Sequence, residues 1–130
     1  MKYLLLMAST KAGIDTYGRW PKKDRDAVMA FMTRLRTDLN ESGELVSTEG
    51  LALPDQAKMV RAGKNGAPVT DGVFPESKEF LAGYWIVDVK NAKRAYEIAA
   101  RVSAVPGPGG IPSNMPIEVR QIMGRPSEKL

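Results

Sequence analysis

The sequence predicts an α+β fold in which helices cover one face of an antiparallel sheet. Three observations support this prediction: an unbroken apolar run at the beginning of the chain, two amphipathic helical segments, and short strand-like runs around them. Of the 130 residues, 43% are hydrophobic and 26% are charged, which suits one domain with its own core. We expect this domain at residues 1–123, followed by a flexible tail at residues 124–130.

Four runs rich in apolar, aromatic or β-branched residues predict the main strands, at residues 2–8, 44–53, 80–89 and 117–123. Two shorter runs, at residues 57–61 and 67–70, flank a Gly-containing turn and predict an inserted hairpin. The stretch at residues 105–116 is too rich in Pro and Gly for regular structure.

Pro21 is placed to open the first helix, because the N–H that proline lacks would have no partner there. Apolar residues then recur at helical spacing and predict a helix over residues 21–42 that Gly43 ends. Asn91 predicts the cap of a second helix, whose apolar stripe ends at Val102. Residues 9–20 contain two Gly among mixed polar residues and predict a loop.

The resulting order, β-α-β-hairpin-β-α-β, matches the ferredoxin-like split βαβ plan. Its sheet would carry large apolar side chains on both faces, while the helices cover only one of them. A second copy of the chain is the simplest cover for the other face. We therefore expect a two-fold homodimer with a barrel-like body.

The composition excludes several classes of chemistry. The chain has no Cys and no His, so disulfides, thiolate nucleophiles, Cys/His zinc sites and imidazole bases are absent. We expect no metal or cofactor. The net charge is +4 without a dense Lys/Arg run, which disfavours a nucleic-acid partner. The apolar run at residues 4–8 is too short for a leader or a membrane span, so we expect a cytoplasmic protein without membrane attachment.

Two carboxylates are candidates for acid–base chemistry. Asp71 is followed by Gly72, a pair that is common in turns, so Asp71 is either a turn former or a carboxylate held at a pocket. Glu49 lies within an apolar strand and either faces solvent or pairs with Arg120 or Asp71. Two neighbouring carboxylates would push their pKa values apart and form an acid–base pair.

Other polar and aromatic residues are candidates for ligand contacts. Lys78 and Glu79 form either exposed ion pairs or a pocket or dimer contact. Tyr84 and Trp85 are adjacent on a strand, so they should point to opposite faces of the sheet. Tyr3 is either core filling or a hydroxyl that lines a polar pocket.

The stretch at residues 71–84, DGVFPESKEFLAGY, resembles the signature of the YCII-related proteins, and specifically of their DGPF-domain branch. The resemblance extends over roughly residues 1–123. Val73 stands where that branch usually has Pro, before Phe74. The wider family often carries a His–Asp pair as its active site, and this chain has no His to form one.

The resemblance implies a ferredoxin-like fold that dimerises into a barrel. We expect a pocket near residues 71–84, in which Asp71 and Glu49 transfer a proton on a small organic molecule. Its candidate ligand contacts are Tyr3, Phe74, Lys78, Glu79, Tyr84 and Arg120. The alternative is a non-catalytic binding or regulatory module, since some members of the family are encoded beside sigma factors. The sequence leaves open whether the protein is an enzyme.

Overall fold

The structure is a computed structural model that describes residues 1–53, 56–73 and 79–124, without the side chains of residues 71–73. Within these residues the elements, in chain order, are β1 (Lys2–Ser9), α1 (Lys11–Gly18), α2 (Lys22–Glu41), β2 (Leu45–Gly50), β3 (Lys58–Ala62), β4 (Pro68–Val73), β5 (Phe80–Asp88), α3 (Ala92–Ser103) and β6 (Ile117–Gln121). The predicted tail lies outside the description from residue 125 onwards.

Four strands form one antiparallel sheet in the order β2-β5-β1-β6. This order is compatible with the ferredoxin-like plan, and it confirms the predicted α+β class. The predicted hairpin is also present, because β3 and β4 pair with each other in a sheet of their own. It is inserted between β2 and β5.

The hydrophobic core lies between one face of the four-stranded sheet and the helices α2 and α3. Its sheet side is formed by alternate residues of the two central strands, among them Leu5, Trp85 and Val87. The helices contribute fully buried side chains, which include Leu35, Leu39, Ile98 and Val102. Trp85 is 2% exposed, whereas Tyr84 is only partly buried. The prediction that Tyr84 and Trp85 point to opposite faces is therefore confirmed.

One prediction was wrong. Most of residues 9–20 form the helix α1 and not a loop, so the described chain contains three α-helices. Thr10 caps this helix, since its side-chain oxygen accepts a hydrogen bond from the Gly13 N–H at 3.0 Å. Gly13 lies in the first turn and Gly18 is the last residue, so neither interrupts the middle of the helix.

The ends of the two predicted helices follow from their capping residues. Pro21 is the N-cap of α2, one position before its predicted place. Gly43 follows the end of α2 with a φ of 77°, a conformation that glycine adopts readily. The Asn91 side chain accepts a hydrogen bond from the Arg94 N–H at 2.9 Å and caps α3 as predicted.

A bidentate ion pair joins the start of β2 to α3. The Nε and NH2 groups of Arg94 donate to the two carboxylate oxygens of Glu44, each at 2.8 Å. The Ser42 hydroxyl donates to the same carboxylate at 2.8 Å. The Arg94 hydrogen bonds, supported by Ser42, lower the pKa of Glu44 and outweigh the opposing effect of its partial burial.

A second ion pair joins α2 to α3. Arg101 donates to a carboxylate oxygen of Asp38 at 2.7 Å, and Arg34 donates to the other at 3.2 Å. These contacts, above all the Arg101 hydrogen bond, lower the pKa of Asp38. The two ion pairs therefore attach α3 to the start of β2 and to α2, at separate points.

Replacing Glu44 with Gln should lower the free energy of unfolding at pH 7 by about 1–2 kcal/mol, because Arg94 loses its charged acceptors. The pKa of Glu44 is lowered in the folded state, so its stabilisation is complete at neutral pH and is lost as the pH falls through that lowered pKa. Urea unfolding of both proteins should therefore show a difference at pH 7 that disappears in acid.

Glu97→Gln is the matched control, because Glu97 lies 3.8 Å from the same arginine and is 55% exposed, against 18% for Glu44. Its loss should change the unfolding free energy by less than about 0.5 kcal/mol. Equal effects of the two substitutions would contradict the special role of Glu44.

Candidate functional site

An apolar groove with a volume of about 320 Å³ lies where the chain leaves β2 and where it enters β5. The described residues that line it are Leu51, Ala52, Leu53, Gln56, Ala57, Phe80 and Leu81. Gln56 is the only one of these residues with a polar side chain. The volume lies at the lower end of the range for small-molecule sites, and such a lining favours an apolar ligand held by few polar contacts.

The backbone departs from regular pairing on both sides of this region. In the hairpin, Lys58 pairs with Val73 and Val60 pairs with Thr70, so Asp71 and Gly72 together oppose the single residue Met59. This is a β-bulge, and the Asp71-Gly72 pair therefore belongs to β4 and not to a turn. Bulges are frequent beside active sites, where they redirect a side chain.

A second irregularity lies in β5, next to the groove. Met7 pairs with Gly83 and Ala8 pairs with Leu81, so Ala82 is an extra residue in β5. Gly83 is also closely approached, since a Cβ built on it would lie 2.9 Å from the backbone oxygen of Glu49. The start of β5 is therefore shaped by local backbone features that no apolar pattern reveals.

The sheet face opposite the helices, here called the open face, carries a central apolar patch. Its four members are all partly exposed, and they are Leu4, Leu6, Tyr84 and Ile86. They are cross-strand partners on β1 and β5, since Leu4 pairs with Ile86 and Leu6 pairs with Tyr84. None of the four belongs to the core cluster that the helices cover, or to the partly buried residues that pack against that cluster.

The structure brings two of the candidate residues together and separates a third. Glu49 pairs with Tyr84 across β2 and β5, at the edge of the open face. Arg120 lies on β6, at the opposite edge, and forms a 3.7 Å ion pair with Glu118. Three strand spacings, about 14 Å, separate β2 from β6. Pairing of Glu49 with Arg120 is therefore not found.

The remaining candidates are scattered. Tyr3 is 5% exposed within the core on the helix side of the sheet, away from the open face. Glu79 is an exposed residue directly before β5. Asp71 lies in β4 by its backbone, while Phe74 and Lys78 are outside the described residues. Their proposed roles as site residues stay predictions.

The sequence prediction missed most of the groove. Leu51 and Leu53 are each more than 40% exposed and follow the end of β2 at Gly50, so the predicted strand over residues 44–53 is too long at its end. A run of apolar residues before Pro54 is as compatible with a buried strand as with an exposed segment. Which of the two forms depends on the path of the chain after β2. No signal in the sequence distinguishes these two cases.

The described residues also bear on metal binding and on membrane insertion. No group of three or more Asp or Glu side chains there is arranged to hold a metal ion. In the same part of the chain, none of the helices combines the length and apolar character that crossing a bilayer requires.

Comparison with known proteins agrees with the resemblance to the YCII-related proteins. An uncharacterised protein of Rhizobium meliloti (strain 1021) is 27% identical over 84 residues, which is 65% of this chain and 68% of that protein. The family model of the YCII-related domain matches residues 1–117. Assignment to the narrower DGPF branch stays a prediction. The chain belongs to the family of proteins with a YCII-related domain.

Proposed function

We propose that this protein binds a small, largely apolar organic molecule in the apolar groove. The observation that carries this proposal is the groove itself, whose described lining is apolar except for Gln56. Two of its lining residues, Phe80 and Leu81, belong to the stretch at residues 71–84 that resembles the family signature. Burial of the ligand's apolar surface would supply most of the affinity.

In its enzymatic form, the site uses carboxylates as acid and base. The bulge at Asp71 and Gly72 supports a role for Asp71, because a bulge alters the direction in which the chain presents its side chains. Glu49 is an exposed carboxylate two residues before the groove residue Leu51. A proton would pass between one of these carboxylates and an acidic C–H of the bound molecule.

The non-catalytic alternative uses the same groove for binding alone, as a regulatory module that acts with a sigma factor. The apolar lining favours it, because the described groove residues include no acid or base.

We also propose that the protein is a two-fold homodimer that joins at the open face. The apolar patch of Leu4, Leu6, Tyr84 and Ile86 supports this, because soluble proteins seldom leave such a central sheet surface in contact with water. The polar edges of the face, with Glu49 on one side and Arg120 on the other, would form the rim of the interface.

Replacing Leu81 with Gln should weaken binding of N-phenyl-1-naphthylamine, a neutral aromatic fluorescent probe, about tenfold. The reason is that Leu81 lines the groove and is 42% exposed, so the change alters the ligand surface more than the core. Fluorescence titration measures the affinity. Met29→Gln is the control, since Met29 is 61% exposed on α2. Equal affinities of the two variants would refute binding in the groove.

Replacing Asp71 with Asn should abolish proton transfer and leave binding of the probe unchanged. The measurement is the exchange of acidic C–H protons of small ketones and esters for deuterium in D₂O. NMR records this exchange as the loss of the C–H proton signals. The wild type should accelerate exchange for at least one compound, and the variant should lose about 100-fold or more of that rate. A wild type that accelerates none of them favours the binding module.

Replacing Leu6 with Glu should convert the homodimer to a monomer of 14.2 kDa, because it places a charge in the centre of the open face. Light scattering after size exclusion gives the mass, and circular dichroism confirms that the variant is folded. Met29→Glu should retain twice the chain mass. A wild type that is monomeric at micromolar concentration would contradict the proposed dimer.

A further inference from the structure

The hairpin of β3 and β4 buries none of its described side chains. All residues of β3 are exposed, as are residues 64–70. Three of them are large and apolar, with Met59 50%, Val60 57% and Val69 44% exposed. An isolated two-stranded hairpin is only marginally stable in water. Contacts from outside the described chain would therefore stabilise it.

Both faces of the hairpin carry apolar side chains. Val69 pairs with Arg61, so these two residues share one face. Val60 neighbours Arg61 along β3 and therefore points to the other face, together with its partner Thr70. A hairpin that is apolar on both faces is suited to a position between two surfaces.

The charge of the hairpin and the polar residues at its tip indicate which kind of surface the hairpin contacts. The strands and tip of the hairpin, residues 58–73, hold the three cations Lys58, Arg61 and Lys64 and one carboxylate, Asp71. The tip contains Lys64 and Asn65, and polar groups of this kind are costly to insert into hydrocarbon. The apolar residues lie along the strands behind the tip, which favours contact along a protein surface over insertion into a membrane.

A second copy of this chain offers a surface with the required properties. Its apolar groove exposes Leu51, Leu53 and Leu81, and the exposed carboxylate of Glu49 lies directly before the groove in the chain. Apolar residues and cations on the hairpin thus match apolar residues and an anion at the groove.

The hairpin is also slightly longer than the four-stranded sheet is wide. The five residues of β3 extend about 17 Å, whereas the four-stranded sheet is about 14 Å wide between its edge strands. The hairpin is inserted in the chain between β2 and β5, which are neighbouring strands of the four-stranded sheet. The open face of that sheet forms the proposed dimer contact.

We propose that the hairpin is an arm that closes the apolar groove of a second copy, so that one ligand site is assembled from two chains. The arm places Met59, Val60 or Val69 against the exposed leucines of the groove, and its cations lie near Glu49 of the other copy. This inference rests on the proposed function, because it assumes that the groove is the ligand site.

Cross-linking tests the arrangement directly, since the chain has no Cys of its own. Val60→Cys and Leu53→Cys are prepared as separate proteins with tags of different length, mixed, and treated with a short bis-maleimide. A gel should show a cross-linked species that contains one chain of each kind. Val60→Cys mixed with Met29→Cys is the control, because Met29 is at least as exposed as Leu53 but lies on α2.

Absence of the mixed Val60–Leu53 product, or equal yield in the control, overturns the proposal. So does efficient cross-linking within single chains of the double variant V60C/L53C, because the hairpin would then close its own groove. A wild type that is monomeric by light scattering overturns it as well.

Affinity for N-phenyl-1-naphthylamine separates this inference from the proposed function. The double variant M59S/V60S should bind the probe about tenfold more weakly than the wild type, because the arm loses apolar contact with the ligand. If Leu81→Gln weakens binding and M59S/V60S does not, the groove is the site and the arm is not part of it. If neither variant weakens binding, the groove itself is not the site.

Discussion

The alternation of side chains along β5 is the constraint on which the rest of the structure depends. This strand pairs with both β1 and β2, and its successive residues point to opposite faces of the sheet. Trp85 and Val87 enter the core beneath the helices, while Tyr84 and Ile86 form part of the open face. A slip of one residue would exchange the two sets, so the burial of Trp85 and Val87 holds the register.

The ionic interactions of the molecule serve a different purpose from its candidate chemistry. Perturbed carboxylates are often a sign of an active site. Here the lowered pKa values of Glu44 and Asp38 arise from Arg94 and Arg101, both of which lie on α3. These pairs attach α3 to β2 and α2 and do not line the apolar groove, so they are structural.

The candidate site lies where the regular pairing of strands breaks down. Asp71 and Gly72 form a bulge in β4, and Ala82 is an extra residue in β5. Both irregularities fall within residues 71–84, the stretch that resembles the family signature. Because the chain lacks His, the wider family's His–Asp pair cannot operate here, and carboxylates beside an apolar groove are what this chain offers in its place.

The sequence by itself determined the α+β class, the order of the strands along the chain, the helices α2 and α3 and the inserted hairpin. These elements follow from periodicity and capping, which are local properties of the chain. The helix α1 was missed because Gly13 and Gly18 suggested a loop, although Thr10 supplies its cap.

Only the tertiary structure decided which residues share a site. It separated Glu49 from Arg120 by placing β2 and β6 at opposite edges, and it buried Tyr3 on the helix side. It also assembled a groove from residues on both sides of the hairpin, such as Leu51 and Leu81. Distances between residues far apart in the chain depend on strand order and register, which the packing of the whole core sets and no local pattern records.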